Sequence, residues 1–123
     1  VSGSSAYFER GIVAYSNAAK TALLGVPPDL ISAHGAVSTE VAKAMAAGVR
    51  ERAHTDIGLA ATGIAGPTGG TAEKPVGLVH IGYADASATM ALKFTFGEGR
   101  TRIKERASQA ALELVRRRLL KFA

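Results

Sequence analysis

The most unusual stretch of this sequence is "TGIAGPTGG" at residues 62–70, which holds four glycines and one proline. It follows "IGLAA" (residues 57–61), an apolar run typical of a buried strand. Glycine lowers stability through its conformational entropy, so the cluster indicates a tight turn or a closely approaching ligand. Backbone N–H groups there can hold an anion or a polar ring substituent. An elaborate turn between two strands remains the alternative.

The usual nucleotide motifs are missing from this loop. No GK[ST] closes it, and no G-x-G-x-x-G occurs in it, which excludes a Walker A loop and a dinucleotide fingerprint. What remains is a loop at the end of a strand, where open α/β sheets commonly bind ligands. The candidate ligand-binding residues of the loop are Thr62, Gly63, Ala65, Gly66, Gly69 and Gly70.

A second candidate site is "YSNAAK", where Tyr15, Ser16 and Asn17 stand at an expected strand-to-helix junction. Such junctions bind anions because the first N–H groups of a helix have no internal partner. Lys20 lies about one turn into the helix, within side-chain reach of its start. A solvated surface charge is the alternative for this lysine.

Arg100 follows "GEG" at the start of the last expected helix. A cation is unfavourable at a helix N-terminus, so a bound anion would explain it. A salt bridge to Glu98 or Glu105 is the alternative.

The amino-acid composition limits the class of binding partner. The 123 residues carry a net charge of +5 with a pI near 9.9, which suggests a nucleotide, a nucleic acid or a membrane surface. Much of the charge lies in "RTRIKER" and "VRRRLLK", where a solvated helix face is the alternative. The sequence has no cysteine and no metal-ligand spacing among its three histidines, which we interpret as structural. No apolar run reaches the ~18–20 residues of a membrane span.

The order of expected elements is strand, three helices, three strands and a long helix. The strands are residues 11–15, 56–62, 76–84 and 87–96, and Ser38 caps the clearest helix. In the last helix, one side is lined by Ile103, Ala107, Ala110, Leu114 and Leu119. This pattern predicts one α/β domain over residues 1–123, with a mixed sheet covered by helices.

Several stretches, in order, resemble the C-terminal domain of competence-damage-inducible protein CinA, a family that includes nicotinamide mononucleotide deamidases. They are "GSSAYFERGIVAYSNAAK", "LLGV", "HGAVSTEVAKAMAAG", "TGIAGPTGG" and "EKPVG". The resemblance implies a three-layer α/β/α sandwich, often dimeric. It also implies an amidohydrolase that converts nicotinamide mononucleotide to nicotinate mononucleotide and ammonia without metal or cofactor. A cytoplasmic location is expected.

The same resemblance assigns roles to single residues. Lys20 matches the family lysine that pairs with a serine nucleophile, and Tyr15 matches a tyrosine beside the substrate. Thr62 opens the matching glycine loop, and Arg100 matches the arginine after the last strand. The family's serine lies in a Glu-Ser-Cys-Thr-Gly-Gly motif that has no counterpart in these residues. We expect that motif, with the first strand and helix of the domain, upstream of Val1.

Two other functions stay open at the level of sequence. One is a nucleotide-binding or regulatory module without catalysis. The other is a basic nucleic-acid-binding domain that uses the final helix, which predicts affinity that falls steeply with salt. We consider it less favoured, because only Phe122 adds an aromatic ring to the C-terminal basic residues.

Overall fold

The computed structural model describes residues 2–121. A single 3₁₀ turn, Ser4–Ala6, precedes the regular elements. The helices are α1 (Asn17–Leu24), α2 (Pro28–His34), α3 (Thr39–Ala53) and α4 (Arg100–Leu119). The strands are β1 (Gly58–Gly63), β2 (Leu78–Ala84) and β3 (Thr89–Thr95).

Local chemistry sets the helix ends. Ser16 Oγ accepts from the Ala19 N–H at 3.0 Å, and Ser38 Oγ accepts from the Val41 N–H at 3.2 Å, so each serine caps its helix. Gly25 ends α1 in the left-handed region, with φ 69°. The cap predicted at Ser38 is confirmed.

The sheet has three strands in the order β1-β2-β3, and both pairs are antiparallel. The α/β class is confirmed, whereas the mixed sheet is not what residues 2–121 form. Residues 11–15, expected as a strand, have irregular structure, and Val13 is 85% exposed. A β-branched apolar stretch needs a ladder partner to become a strand, and the described residues supply none. The remaining strands follow one another through loops, as in hairpins.

Helices cover both faces of the sheet, which confirms the three-layer α/β/α arrangement. On one face α3 approaches closely, because a Cβ at Gly58 or Gly82 would lie 2.1 Å from an α3 carbonyl oxygen. On the other face α4 packs through Ile103 and Leu114 against Val79, Ile81 and Tyr83 of β2. The sheet is therefore covered by two helices that contact opposite faces.

A second apolar cluster lies among the first three helices and joins Leu24, Val26, Ile31, Val41 and Met45. It packs α1 and α2 against the outer side of α3. One expectation for α4 is wrong: Leu119 is 64% exposed. It lies at the last residue of the helix, beyond the last buried position, Leu114.

Candidate functional site

Lys20, in α1, has a buried side chain. Only 7% of the residue is exposed, and Nζ donates to the Ala14 carbonyl oxygen at 3.2 Å. No carboxylate pairs with it within residues 2–121. Burial lowers the pKa of the ammonium group, because desolvation penalises the charged form. The solvated-charge alternative is therefore wrong, and the side chain has the environment of an amine that can act as a base.

The other residues of the "YSNAAK" stretch face solvent. Tyr15 is 87% exposed, and Asn17 is exposed at the first position of α1. Ser16 uses its hydroxyl oxygen to cap α1, so that oxygen is already occupied by an internal bond. An open cleft of about 410 Å³ lies between α1 and α2; Asn17 and Thr21 line it together with Ile31 of α2. Lys20 does not line this cleft.

Thr62 lies near the end of β1 and is buried, with 7% exposure. Its Oγ1 donates to the Ala36 carbonyl oxygen at 2.8 Å. Ala36 belongs to the turn between α2 and α3, so this bond connects the strand end to the helical layer. The neighbouring Gly63 is the last residue of the strand and is exposed.

The glycine loop spans residues 64–77 and is closed at its base. The Gly77 N–H donates to the Ile64 carbonyl at 2.7 Å, and the Ile64 N–H donates to the Leu78 carbonyl at 2.9 Å. Ala65 and Val76 pack against the cluster that α4 forms with the sheet. The loop thus has a hydrogen-bonded, partly apolar base and an exposed outer part.

Two glycines of the loop are required by close packing on Val76. A Cβ at Gly66 would lie 2.5 Å from a Val76 methyl group, and Gly66 has φ 77°. A Cβ at Gly70 would lie 2.7 Å from the Val76 backbone nitrogen. A Cβ at Gly69, which has φ 94°, would meet only an Ile64 methyl group, at an ordinary contact distance of 3.8 Å. Bare backbone at Gly66 and Gly70 therefore has a structural reason, whereas at Gly69 only the backbone conformation demands glycine.

Arg100 joins the loop to α4. Its Nη1 donates to the Gly66 carbonyl oxygen at 2.9 Å, although the residue as a whole is exposed. The alternative for Arg100, a salt bridge to Glu98 or Glu105, is not formed within residues 2–121, where both carboxylates pair with Arg102 instead. Within residues 2–121 no carboxylate pairs with Arg100, so its guanidinium nitrogens other than Nη1 can contact an anion.

The structure connects part of the predicted site directly. Arg100 contacts Gly66, and Thr62 continues into the loop. Within residues 2–121, neither a hydrogen bond nor an ion pair joins Lys20 to the loop. Lys20 instead reaches the sheet indirectly, through the packing of α1 on α3 and of α3 on β1.

A polar cluster that was not predicted from the sequence lies beside the loop and consists of His34, Thr39, Glu40 and His80. His80 on β2 has Nδ1 3.3 Å from Thr39 Oγ1, and His34 has Nδ1 3.6 Å from a Glu40 carboxylate oxygen. Burial first, and then the charge of Lys93, lowers the pKa of His80. The structural interpretation fits His80, which bridges β2 and α3 from a buried position.

Lys74 is a second feature that sequence reasoning missed. Its Nζ donates to the His34 carbonyl oxygen at 2.6 Å. The only sequence signal was its place in "EKPVG", two residues after "TGIAGPTGG", and a charged residue in a loop is normally solvated.

The basic residues of α4 are largely paired with acids. Arg102 and Arg106 contact Glu98, Arg116 contacts Glu113, and Arg118 lies 3.6 Å from Asp85. This arrangement favours the solvated helix face over a continuous cationic surface.

Two further observations concern membranes and metals. Over residues 2–121, every helix is too short or too polar to cross a membrane. In the same range, no three or more histidine, aspartate or glutamate side chains are grouped as metal ligands.

Comparison with known proteins gives consistent results. The family model described as "CinA C-terminal domain" matches residues 1–119. A "CinA-like protein" of Syntrophus aciditrophicus is 55% identical over 120 residues, which is 97% of this chain and 29% of that protein. A "Putative competence-damage inducible protein" of Caldicellulosiruptor bescii is 47% identical over 122 residues, 99% of this chain and 30% of that protein. The chain thus spans about three tenths of the length of such relatives.

Solved structures show the same likeness. The competence/damage inducible protein CihA of Agrobacterium tumefaciens has a TM-score of 0.91 at 42% identity, over 94% of this chain and 71% of that one. The competence damage-inducible protein A of Klebsiella pneumoniae has a TM-score of 0.93 at 27% identity, over 100% of this chain and 76% of that one.

Proposed function

Because this chain belongs to the CinA C-terminal domain family, we propose that it forms part of an amidohydrolase acting on nicotinamide mononucleotide. The products are nicotinate mononucleotide and ammonia. Lys20 is the general base, and the serine nucleophile comes from the family motif upstream of Val1. Tyr15 lies beside the substrate.

The observation that carries this proposal is the state of Lys20. A lysine accepts a proton only when its amine is neutral, and burial lowers its pKa toward that condition. No carboxylate holds it charged within residues 2–121, and its one hydrogen bond there is to the Ala14 carbonyl. A serine hydroxyl is a weak nucleophile until such a base takes its proton.

The proposed steps balance as follows. The serine oxygen bonds to the carboxamide carbon while Lys20 takes the hydroxyl proton. That proton then passes to the amide nitrogen, the C–N bond breaks, and ammonia leaves an ester on the serine. Lys20 next takes a proton from water, whose oxygen displaces the serine oxygen and gives the carboxylic acid, which loses its proton to the released ammonia. The serine recovers its proton from Lys20.

The glycine loop and Arg100 bind the nucleotide in this proposal. Exposed backbone N–H groups near Gly69 and Gly70 are suited to the oxyanion or to a polar ring substituent, and such a donor typically contributes roughly 100–1,000-fold in rate. The guanidinium of Arg100 is suited to the phosphate. Ser16 and Asn17 supply the start of α1.

The deciding experiment uses the longer polypeptide that contains the upstream serine motif. Incubation with nicotinamide mononucleotide should release one ammonia for each nicotinate mononucleotide formed, with chelators present throughout. Nucleotide binding measured by calorimetry without any ammonia would instead support the regulatory module without catalysis. Absence of both binding and turnover would exclude the proposal. The homodimer and the cytoplasmic location stay predictions.

A further inference from the structure

We propose that Lys74 is a positioning residue that clamps the outer part of the glycine loop to the end of α2, and so sets the nucleotide-binding geometry of that loop. The inference rests on the proposed function, because it concerns how the same site holds its substrate.

The first support is the contact itself. Lys74 Nζ donates to the His34 carbonyl oxygen at 2.6 Å, across forty positions of sequence. His34 is the last residue of α2, and its carbonyl is one of those that a helix leaves unpaired at its C-terminus. A hydrogen bond from an ammonium group to such a carbonyl is stronger than one between neutral groups.

The second support is the way Lys74 is built into the loop. Its own N–H donates to Thr71 Oγ1 at 3.0 Å, and its carbonyl accepts from the Thr71 N–H at 2.8 Å. Residues 71–74 therefore form a closed turn. Thr71 directly follows Gly69 and Gly70, so fixing Lys74 also limits where those two glycines can lie.

The third support is that the loop is held from two sides. Arg100 of α4 donates to the Gly66 carbonyl at 2.9 Å, whereas Lys74 reaches α2 in the opposite helical layer. Two cations thus hold the loop across the end of the sheet, each through a main-chain carbonyl. A phosphate that engages Arg100 would meet a loop whose far end Lys74 keeps in place.

Gly35, the residue after His34, leaves room for the ammonium group of Lys74. A Cβ at Gly35 would lie 2.6 Å from Lys74 Nζ, and Gly35 has φ 81°. The space that the ammonium group occupies is therefore kept open by a residue whose backbone conformation itself requires glycine.

The test compares Lys74→Met, Lys74→Arg and the control Lys43→Met in the longer polypeptide with the serine motif. Lys43 is an exposed lysine of α3. We expect Lys74→Met to raise KM for nicotinamide mononucleotide about five- to tenfold with kcat within about twofold, because it removes one charge-assisted hydrogen bond from ground-state positioning. Lys74→Arg keeps a cationic donor and should recover at least half of the loss. Lys43→Met should behave as wild type.

Amide hydrogen exchange supplies the second readout. The amides of residues 69–72 should exchange faster in Lys74→Met than in Lys43→Met, while those of β2 stay protected. Unchanged exchange at residues 69–72 would overturn the clamp. Faster exchange with unchanged KM would overturn the positioning role.

The two proposals fail in different ways. If wild type turns over the nucleotide and Lys74→Met has an unchanged KM, the proposed function stands and the role of Lys74 is wrong. If wild type neither binds nor converts the nucleotide, both are wrong.

Discussion

Lys20 and Thr62 are two buried polar side chains that differ in how far hydrogen bonds within the fold occupy them. Lys20 and Thr62 are equally inaccessible, at 7% exposure each. The Thr62 hydroxyl donates its hydrogen bond to the Ala36 carbonyl oxygen, so it serves to hold the fold. Lys20 has one carbonyl partner for three N–H bonds, so its amine retains capacity for another partner.

Replacement of Lys20 tests this difference. In the longer polypeptide, Lys20→Met should lower kcat by about 100–10,000-fold, the usual contribution of a general base, while circular dichroism stays unchanged. Methionine fills the space of the lysine stem without a charge, so the fold should tolerate it. Lys43→Met controls for the loss of one positive charge. Turnover near that of wild type in a folded Lys20→Met variant would remove Lys20 from the mechanism.

Arg100 is predicted to contact the substrate phosphate. A charge-assisted hydrogen bond is worth about 1.5–3 kcal/mol, so Arg100→Ala should lower kcat/KM for the nucleotide by roughly ten- to a hundredfold. The loss should be smaller for nicotinamide riboside, which has no phosphate, although the bond to Gly66 is lost with both substrates. Arg102→Ala, on the same helical turn, is the control. An equal loss with both substrates would contradict phosphate recognition.

His80 should make the fold sensitive to acid. Its folded-state pKa is lowered, first by burial, so between that pKa and about 6.5 the unfolded chain binds more protons than the folded one. The free energy of unfolding therefore rises with pH through this window, and the full destabilisation by His80 is present below its folded-state pKa. Urea unfolding of the 123-residue chain at a series of pH values should show this rise, and His80→Gln should flatten it.

The control for this titration is His54→Asn, which removes an exposed histidine at the end of α3. A slope that survives in His80→Gln would show that other groups cause the acid sensitivity.

At the scale of secondary-structure elements, the crossing of α1 and α3 decides where Lys20 lies. Gly48 is buried in α3, and a Cβ there would lie 1.8 Å from the Leu24 carbonyl oxygen of α1. Because Leu24 and Lys20 share the buried side of α1, the glycine permits an approach that also buries the lysine.

A single methyl group at this crossing should separate the helices. Helix propensity alone would make Gly48→Ala stabilising by up to about 1 kcal/mol, but the clash with main chain should make it destabilising by ~1–3 kcal/mol. Urea unfolding of the 123-residue chain measures the sign. Ala47→Gly, at the exposed neighbouring position, measures the propensity difference without a clash. A stabilised Gly48→Ala variant would show that α1 does not need this contact.

At the scale of the whole molecule, the glycine loop connects the two helical layers. Its base packs on the α4 side through Ala65 and Val76, and its outer turn reaches α2 through Lys74. The strand that enters it, β1, is an edge of the three-stranded sheet. Within residues 2–121 no strand pairs with the outer side of β1, and an unpaired edge invites pairing with another chain.

The 123-residue chain by itself should release no ammonia from nicotinamide mononucleotide, because it contains no serine motif. It should also self-associate as its concentration rises, because the outer side of β1 has no partner strand within residues 2–121. Restoring the upstream serine motif should restore turnover, because serine and lysine act as one unit. Ammonia assays and light scattering, on material whose mass confirms a start at Val1, provide the measurements. Turnover by the chain alone would require a nucleophile among its own residues.

The amino-acid sequence by itself determined the elements with strong local signals. Ser38 was recognisable as a cap, and Ile103 and Leu114 as part of a buried helix face, because capping and helical periodicity depend on residues a few positions apart. The family, and with it the expectation for Lys20, came from motifs that are also local. The strand expected at residues 11–15 was wrong because pairing depends on a partner that local sequence does not specify.

Contacts in the folded molecule determined which partner each charged side chain has. Lys20 is buried in the interior, and Glu98 pairs with Arg102 instead of Arg100. Lys74 contacts the end of α2, forty positions away in the sequence. Burial and long-range hydrogen bonds arise from packing between elements, and the sequence around a lysine is the same whether its side chain donates to solvent or to a carbonyl oxygen. The chemistry of this loop therefore depends on contacts that no local pattern records.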